Sequence, residues 1–80
     1  MKKIKNIHPG EILSKEFLNP LGITRYRLSK DTGILQTTIS AIIKGKRKIT
    51  PDTASRLSGY FGNTTKFWLE LQNDFDTNKI

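Results

Sequence analysis

Residues 25–46 read RYRLSKDTGILQTTISAIIKGK, and this stretch contains two short helical segments with a turn between them. The first segment starts after Thr24, a residue that caps helix N-termini well, and runs to Gly33, a residue that commonly ends helices. The second segment runs from about Gln36 to Lys44. Two short helices joined in this way form a helix-turn-helix motif, whose second helix typically enters the major groove of DNA.

The second segment has two different faces when its residues are placed about 100° apart around a helix axis. Its apolar face is formed by Leu35, Ile39, Ile42 and Ile43. Its opposite face is small and polar, and it consists of Thr37, Ser40, Ala41 and Lys44, with Gln36 at the exposed N-terminal end. Such a face suits a helix that lies close in a groove, because Gln can bond an adenine edge and Ala can touch a thymine methyl. A merely solvated Ser/Thr face is the alternative interpretation.

Turn and cap signals predict three further helices. One starts at Pro9, since proline is favoured at the first helical position, and ends at residues 19–22, which read Asn-Pro-Leu-Gly. A second opens at Thr50, where a cap, a proline and an acidic residue follow in order. The last is capped by Thr64 and ends near Asp76. Because β alternation is nearly absent, the chain is predicted to be all-α, with five short helices.

The composition indicates a small globular domain with few routes to catalysis. We predict a helix-turn-helix domain over residues 8–76, a basic N-terminal segment at 1–7 and a frayed end at 77–80. The chain has no cysteine and one histidine, His8, which excludes a zinc finger, a thiol nucleophile and a histidine metal cluster. We interpret His8 as the cap of the first helix and expect no enzyme activity, metal or cofactor. No apolar run approaches about 18 residues, so we expect no membrane span. The absence of cysteine fits a reducing cytoplasm, which is the expected location.

The charges are unequal and unevenly placed. Fourteen Lys and Arg residues face seven Asp and Glu residues, which gives a net charge of +7. The basic residues form two groups, Lys44, Lys46, Arg47 and Lys48, and Lys2, Lys3 and Lys5. The acidic residues gather partly at the other end of the chain, at Glu70, Asp74 and Asp76. A basic front and a more acidic back would orient the molecule on DNA, although solubility alone also explains a basic chain.

Several stretches resemble a known family. Residues 25–46, with their central glycine, their T-I-S core and the G-K-R that closes the motif, look like the helix-turn-helix of the Cro/CI (XRE) class. The sequences HPGEIL at 8–13, GKRKITP at 45–51 and FWLELQNDFD at 67–76 resemble HigA antitoxins, also called virulence-associated protein I. The resemblance covers residues 7–76, and the three motifs in this order and at these separations are highly specific.

The resemblance implies a five-helix, λ-repressor-like domain that forms a homodimer. It also implies binding to a palindromic DNA operator in the protein's own promoter, and neutralisation of a HigB/RelE-like toxin that cleaves mRNA. A stand-alone phage-type transcriptional repressor without a toxin partner is the alternative. A protein-interaction module that has lost DNA binding is disfavoured, because four positive charges lie beside the second motif helix.

Roles at individual positions are also implied by the resemblance. The residues that read base edges are expected to be Gln36, Thr37 and Ala41, with Ser40 on the same face. The residues that hold phosphates are expected to be Arg25, Thr38, Lys44, Lys46 and Arg47, with Lys48 beside them. The class usually has Ser, Thr or Pro at the cap of the second motif helix, where this chain has Leu35. This departure bears on how that helix starts and on how Gln36 is oriented.

The last helix carries more large apolar residues than a small core can hide. Phe67, Leu71 and Phe75 share one stripe, and Trp68 and Leu69 project to either side of it. Aromatic residues are favoured at the centres of interfaces. We therefore predict a homodimer with this helix at or near the two-fold axis, in which Trp68, Leu69 or Phe75 contacts the partner subunit. The alternative is that this helix only covers the core of its own chain.

Overall fold

The computed structural model describes residues 7–77, so the Lys2, Lys3 and Lys5 group and most of the predicted frayed end lie outside the described residues. Within that range the chain forms five helices and no strand, as predicted. Helix α1 comprises Pro9–Ile12, Leu13–Leu18 and Asn19–Leu21, and the others are α2 (Arg25–Thr32), α3 (Gln36–Ile43), α4 (Pro51–Phe61) and α5 (Thr65–Thr77). No helix of residues 7–77 combines the length and the apolar character that crossing a membrane requires.

Helices α2 and α3 form the predicted helix-turn-helix. Thr24 caps α2, because its Oγ1 accepts a hydrogen bond of 3.0 Å from the backbone N–H of Arg27. Gly33 ends α2 with a φ of 82°, in the left-handed region that favours glycine. Immediately beyond it, Oγ1 of Thr32 accepts a 3.2 Å hydrogen bond from the N–H of Ile34. The turn is therefore tied to the end of α2, and it directs the buried Ile34 side chain into the core.

Helix α1 is continuous, but its middle turn, Leu13–Leu18, is π-helical. The N–H of Asn19 donates to the carbonyl of Ser14, five residues earlier. The wider turn precedes Pro20, which has no N–H to donate and whose ring crowds the preceding turn of an α-helix. The helix ends within the predicted stretch 19–22, at Gly22, and Pro20 belongs to its last turn.

The core gathers apolar side chains from all five helices and from the turns between them. Its buried apolar residues are Leu13, Leu18, Leu28, Ile34, Ile39, Ile42, Ile49, Ala54, Leu57 and Trp68. Trp68 is 0% exposed. Its ring centroid lies 5.0 Å from that of Phe17, and its Nε1 donates to Oδ1 of Asn63 at 2.9 Å. Trp68 therefore belongs to the core of its own chain, which corrects the prediction that it contacts a partner subunit.

The start of α1 lies directly against the end of α3. His8 caps α1, because its Nδ1 accepts a 2.9 Å hydrogen bond from the N–H of Gly10. A Cβ atom added at Gly10 would collide with the carbonyl oxygen of Ile42, and it would lie 2.6 Å from the carbonyl carbon of Ile42 and 2.9 Å from Cα of Ile43. The two backbones can approach this closely only because residue 10 has no side chain.

Helix α4 holds the C-terminal end of α2 through polar contacts. The Asp31 carboxylate accepts hydrogen bonds from the Tyr60 hydroxyl and from Nε of Arg27, both at 2.8 Å. Nη1 of Arg56 donates to the carbonyl oxygen of Thr32 at 2.9 Å. The hydrogen bond from Tyr60, and then that from Arg27, lower the pKa of Asp31, and the bond to Asp31 raises the pKa of Tyr60. Asp31 therefore acts in this network as a carboxylate.

Two glycine-to-alanine substitutions should change stability in opposite directions. Gly10→Ala should lower the free energy of unfolding by about 3 kcal/mol or more, because its Cβ meets the α3 backbone and not a side chain that can move. Gly59→Ala, within α4, should raise it by about 0.5–1 kcal/mol, since a Cβ there meets nothing within 4 Å and alanine favours a helix. Urea unfolding measures both. A mild effect at Gly10 would show that α1 and α3 are not in close backbone contact.

Tyr60→Phe should raise the pKa of Asp31 toward its ordinary value of 3.8, because it removes the hydrogen bond that lowers this pKa most. A carboxyl group whose pKa is lower in the folded state stabilises the fold above its unfolded pKa and loses that contribution as the pH falls through the folded value. The stability advantage of the wild type over Tyr60→Phe should therefore be full near pH ~7 and shrink below pH ~4. The ¹³C carboxyl resonance of Asp31 and urea unfolding across pH measure the two effects. Equal Asp31 pKa values in both proteins would contradict the assignment.

Candidate nucleic-acid interface

The outward face of α3 forms one open concavity together with the start of the following loop. Its volume is about 460 Å³, and it is lined by Gln36, Thr37, Ser40, Ala41, Lys44 and Lys46. The structure thus brings all four predicted base-reading side chains together with two of the predicted phosphate-binding lysines. Gln36, Thr37 and both lysines are exposed, whereas Ser40 and Ala41 are half-buried on the floor. The side chains on this floor are small, so another macromolecule could approach the backbone of α3 closely.

Arg25 connects the two helices of the motif at this surface. It is the first residue of α2, and its Nη1 donates to Oγ of Ser40 on α3 at 3.3 Å. The guanidinium is exposed beside the base-reading face, as the prediction for a phosphate contact requires. Thr38, also predicted to hold a phosphate, is half-buried and does not line the concavity. Its role stays a prediction.

The loop after α3 has exposed basic side chains and a backbone that is hydrogen-bonded to the rest of the protein. Lys44, Lys46, Arg47 and Lys48 are all exposed. Behind them, Oε1 of Gln72 accepts a 2.9 Å hydrogen bond from the N–H of Ile49, and Nε2 of Gln72 donates to Oδ1 of Asp76 at 3.0 Å. Asp76 also pairs with Nζ of Lys48 at 3.5 Å. Lys48 therefore leans toward α5, whereas Lys44 and Lys46 border the concavity.

His8 packs behind the same loop. Its ring meets the Phe75 ring edge-on, with centroids 4.9 Å apart. Burial lowers the pKa of His8, and this effect outweighs the opposing influence of the Asp76 charge and of a hydrogen bond with the Arg47 backbone. The neutral ring is the form that accepts the Gly10 hydrogen bond, so the environment of His8 favours its capping role. Among residues 7–77, no three His, Asp or Glu side chains come together in a way that could hold a metal ion.

Leu35 does not lie where the helical periodicity placed it. The sequence assigns it to the apolar face with Ile39, but the structure leaves it 70% exposed, and Ile34 is buried instead. The reason is that α3 begins at Gln36, so Leu35 precedes the regular helix with φ −59° and ψ 140°. It occupies the N-cap position and makes no side-chain hydrogen bond there.

Two residues near the motif and its loop were not singled out from the sequence, the buried Gln72 and the exposed Tyr26. Gln72 is buried and holds the basic loop, and a polar residue four positions after Trp68, next to the apolar stripe of α5, is the signal that could have revealed it. Tyr26 is an exposed aromatic residue between Arg25 and Arg27. Local sequence holds no comparable signal for Tyr26, because its exposure depends on which side of α2 packs on the core.

Five helices with an exposed α3, a basic loop behind it and a polar concavity on its outward face define a helix-turn-helix protein. The profile of the family described as "Helix-turn-helix" matches residues 15–69. That range contains the whole motif, the basic loop, all of α4 and part of α5.

Curated relatives share this sequence pattern. The chain is 43% identical over 70 residues to virulence-associated protein I of Dichelobacter nodosus, in a match that covers 88% of this chain and 65% of that protein. It is 38% identical over 78 residues to antitoxin HigA-1 of Vibrio cholerae, in a match that covers 95% of this chain and 73% of that protein. This chain therefore spans just under two thirds of the Dichelobacter protein.

Solved structures share the fold. The Pseudomonas aeruginosa antitoxin HigA, solved with the higBA promoter, superposes with a TM-score of 0.89 at 35% identity over 92% of this chain and 80% of that chain. A HigA-family addiction module antidote protein from Coxiella burnetii superposes with a TM-score of 0.87 at 42% identity, again over 92% and 80%. The chain belongs to the HigA branch of the XRE-type helix-turn-helix family.

Proposed function

We propose that this protein is the antitoxin of a type II toxin–antitoxin module, that it represses its own operon and that it neutralises a HigB/RelE-like toxin. Its role is binding rather than catalysis, and it acts in the cytoplasm. The observation that carries the DNA-binding half is the concavity of α3, where Gln36, Ala41 and Lys46 share one surface. The relative solved with its promoter has the same fold.

The proposed DNA contact follows from the shape and charge of this surface. The N-terminal end of α3 enters the major groove, so Gln36 reaches the bases first. Its side-chain amide oxygen and nitrogen can both bond the edge of an adenine. Thr37 and Ser40 bond further base edges, and Ala41 lies against a thymine methyl. The basic side chains that flank this face and meet the phosphates on either side are Arg25, Lys44, Lys46 and Arg47. Lys48 reaches a phosphate by releasing its exposed pair with Asp76.

The toxin half of the proposal is supported by family membership. The relatives include an antitoxin of Vibrio cholerae and an addiction module antidote protein of Coxiella burnetii. A stand-alone repressor is the competing function, and it differs only outside this chain. A neighbouring gene for a small, basic, RelE-like protein, whose product co-purifies with this chain and loses its mRNA cleavage on binding, supports the antitoxin function. Intact mRNA-cleaving activity in the presence of excess antitoxin would favour the stand-alone repressor.

Operator recognition requires two copies of the chain. A recognition helix of eight residues reads only a few base pairs, and each pair contributes roughly 1–3 kcal/mol of discrimination. A two-fold dimer doubles the contacts and places half-sites about 34 Å apart on a palindrome. With Trp68 buried, Leu69 and Phe75 remain as the proposed contacts, because both are only partly covered by their own chain. Helix α5 also leaves the outward face of α3 free.

Gln36→Ala should cost about 1–3 kcal/mol of binding to the operator and spare binding to random duplex, because Gln36 is proposed to read a base and not a phosphate. Fluorescence anisotropy with the promoter fragment and with a scrambled fragment of the same length measures both affinities. Equal losses on the two duplexes would reassign Gln36 to the DNA backbone.

Replacing Lys46 and Arg47 together by Ala should weaken binding to every sequence. The slope of log K against log salt concentration should fall in magnitude by about 1 to 2, close to one for each lost phosphate contact. Replacing Lys15 and Lys66 by Ala is the matched control, since it removes the same charge from α1 and α5, where each lysine pairs with a glutamate. An equal change of slope in both double variants would mean that net charge, and not the loop, controls the salt dependence.

Leu69→Glu should convert a homodimer into a folded monomer, because it places a charge in the proposed interface. Leu21→Glu is the control, since Leu21 is an exposed leucine at the end of α1 and lies outside that interface. Sedimentation equilibrium at micromolar protein should report twice the chain mass for the wild type and the control, and circular dichroism verifies that Leu69→Glu is helical. A monomeric wild type, or a dimer unaffected at Leu69, would place the interface elsewhere.

A further inference from the structure

Leu35 is an exposed apolar residue at the start of α3, beside the DNA-facing surface. It is the most exposed of the large hydrophobic residues in the described part of the chain, at 70%. It also occupies the N-cap of α3, where Ser, Thr, Asp or Asn would accept a hydrogen bond from a free backbone amide, and its side chain makes no such bond. An apolar residue here weakens the start of α3 and covers none of the core.

The position of Leu35 indicates which molecule covers it. It directly precedes Gln36, at the N-terminal end of α3. According to the proposed function, this end of the helix enters the major groove. Its neighbour in sequence, Ile34, already occupies the core position at 6% exposure. A protein bound over Leu35 would block Gln36, so a protein partner at this site competes with DNA. The occupant consistent with repression is therefore the operator itself.

The major groove displays one apolar group, the C5-methyl of thymine. The other base-edge groups there are hydrogen-bond donors and acceptors, which a leucine side chain cannot satisfy, and the C5–H of cytosine, which offers less apolar surface than a methyl. Burial of that methyl against Leu35 removes apolar surface of both partners from water. A branched apolar side chain at the leading end of α3 is therefore matched best by thymine.

We propose that Leu35 is a specificity-determining residue that contacts the C5-methyl of a thymine next to the base pair read by Gln36, in each half-site. This inference rests on the proposed function and names one base of its operator. It also accounts for the uncapped helix start, because a capping Ser or Thr would stabilise α3 but offers less apolar surface to the methyl.

The test uses a duplex that the wild-type protein itself selects from a random-sequence pool. Each thymine of one half-site is replaced in turn by deoxyuridine, which lacks only the methyl group, and affinities are measured for wild type and Leu35→Ala. One thymine should cost the wild type about fourfold, the equivalent of one buried methyl. Leu35→Ala should bind the thymine duplex several-fold more weakly and lose nothing further with deoxyuridine there. Ala41→Gly is the control, and it should keep the wild-type sensitivity at that thymine, because any methyl that Ala41 contacts belongs to a different base.

Leu35→Ser separates a DNA contact from a structural role. It supplies the missing cap, so its midpoint of thermal unfolding should rise while its affinity for the selected duplex falls. If the role of Leu35 were purely structural, Leu35→Ser would change the unfolding midpoint and the affinity for the duplex in the same direction. Wild-type insensitivity to every deoxyuridine, or equal sensitivity of wild type and Leu35→Ala, overturns the inference while the proposed function stands. A wild type that selects no sequence at all overturns both.

Discussion

The contact between the backbone of α1 at Gly10 and the carbonyl of Ile42 fixes the orientation of α3, and the DNA-facing surface depends on that orientation. Helix α3 has only eight residues, and isolated helices of that length are marginal in water. It contains three isoleucines and two threonines, which favour helices weakly, and its N-cap is apolar. Tertiary packing must therefore hold it. Buried Ile39 and Ile42 supply this packing, and Gly10 sets its distance from α1.

The basic loop follows the same principle of a fixed backbone and free side chains. Its backbone is held by the buried Gln72 amide, which is a stronger constraint than the exposed pair between Lys48 and Asp76. Exposed ion pairs contribute little, because water and salt screen them and holding two long side chains costs entropy. The charged ends of the loop's basic side chains therefore remain available to phosphates, while the backbone that carries them keeps a constant distance from α3. Helix α5 thus supports the proposed DNA surface from behind and carries the proposed dimer contacts.

Much of the fold was predictable because its signals are local. Thr24, Thr50 and Thr64 each accept a hydrogen bond from the amide three residues later, as their cap assignments predicted. His8 caps α1 through its ring Nδ1, which accepts from the amide two residues later. The outward face of α3 also follows the predicted periodicity, which is why its base-reading candidates share one concavity. Cap chemistry and helical spacing are both determined by residues a few positions apart.

The residues that the sequence did not predict correctly depend on tertiary contacts, or on the exact residue at which a helix begins. Trp68 is buried because Phe17 and Phe61 pack on it from other helices, and nothing in the sequence of α5 records those contacts. Leu35 is exposed because α3 begins one residue after it, so the helical wheel does not apply. The function of Gln72 likewise requires knowing that α5 passes behind the loop.

The most direct test of the account is an amide NMR titration of the ¹⁵N-labelled protein with the duplex that it selects. We predict that shift changes concentrate at Arg25, at residues 35–41 and at residues 44–48. Amides of Lys66 and Glu70, on the exposed side of α5, should change little. Changes concentrated on α5 with α3 unaffected would contradict the assignment of α3 and the basic loop as the DNA-binding surface.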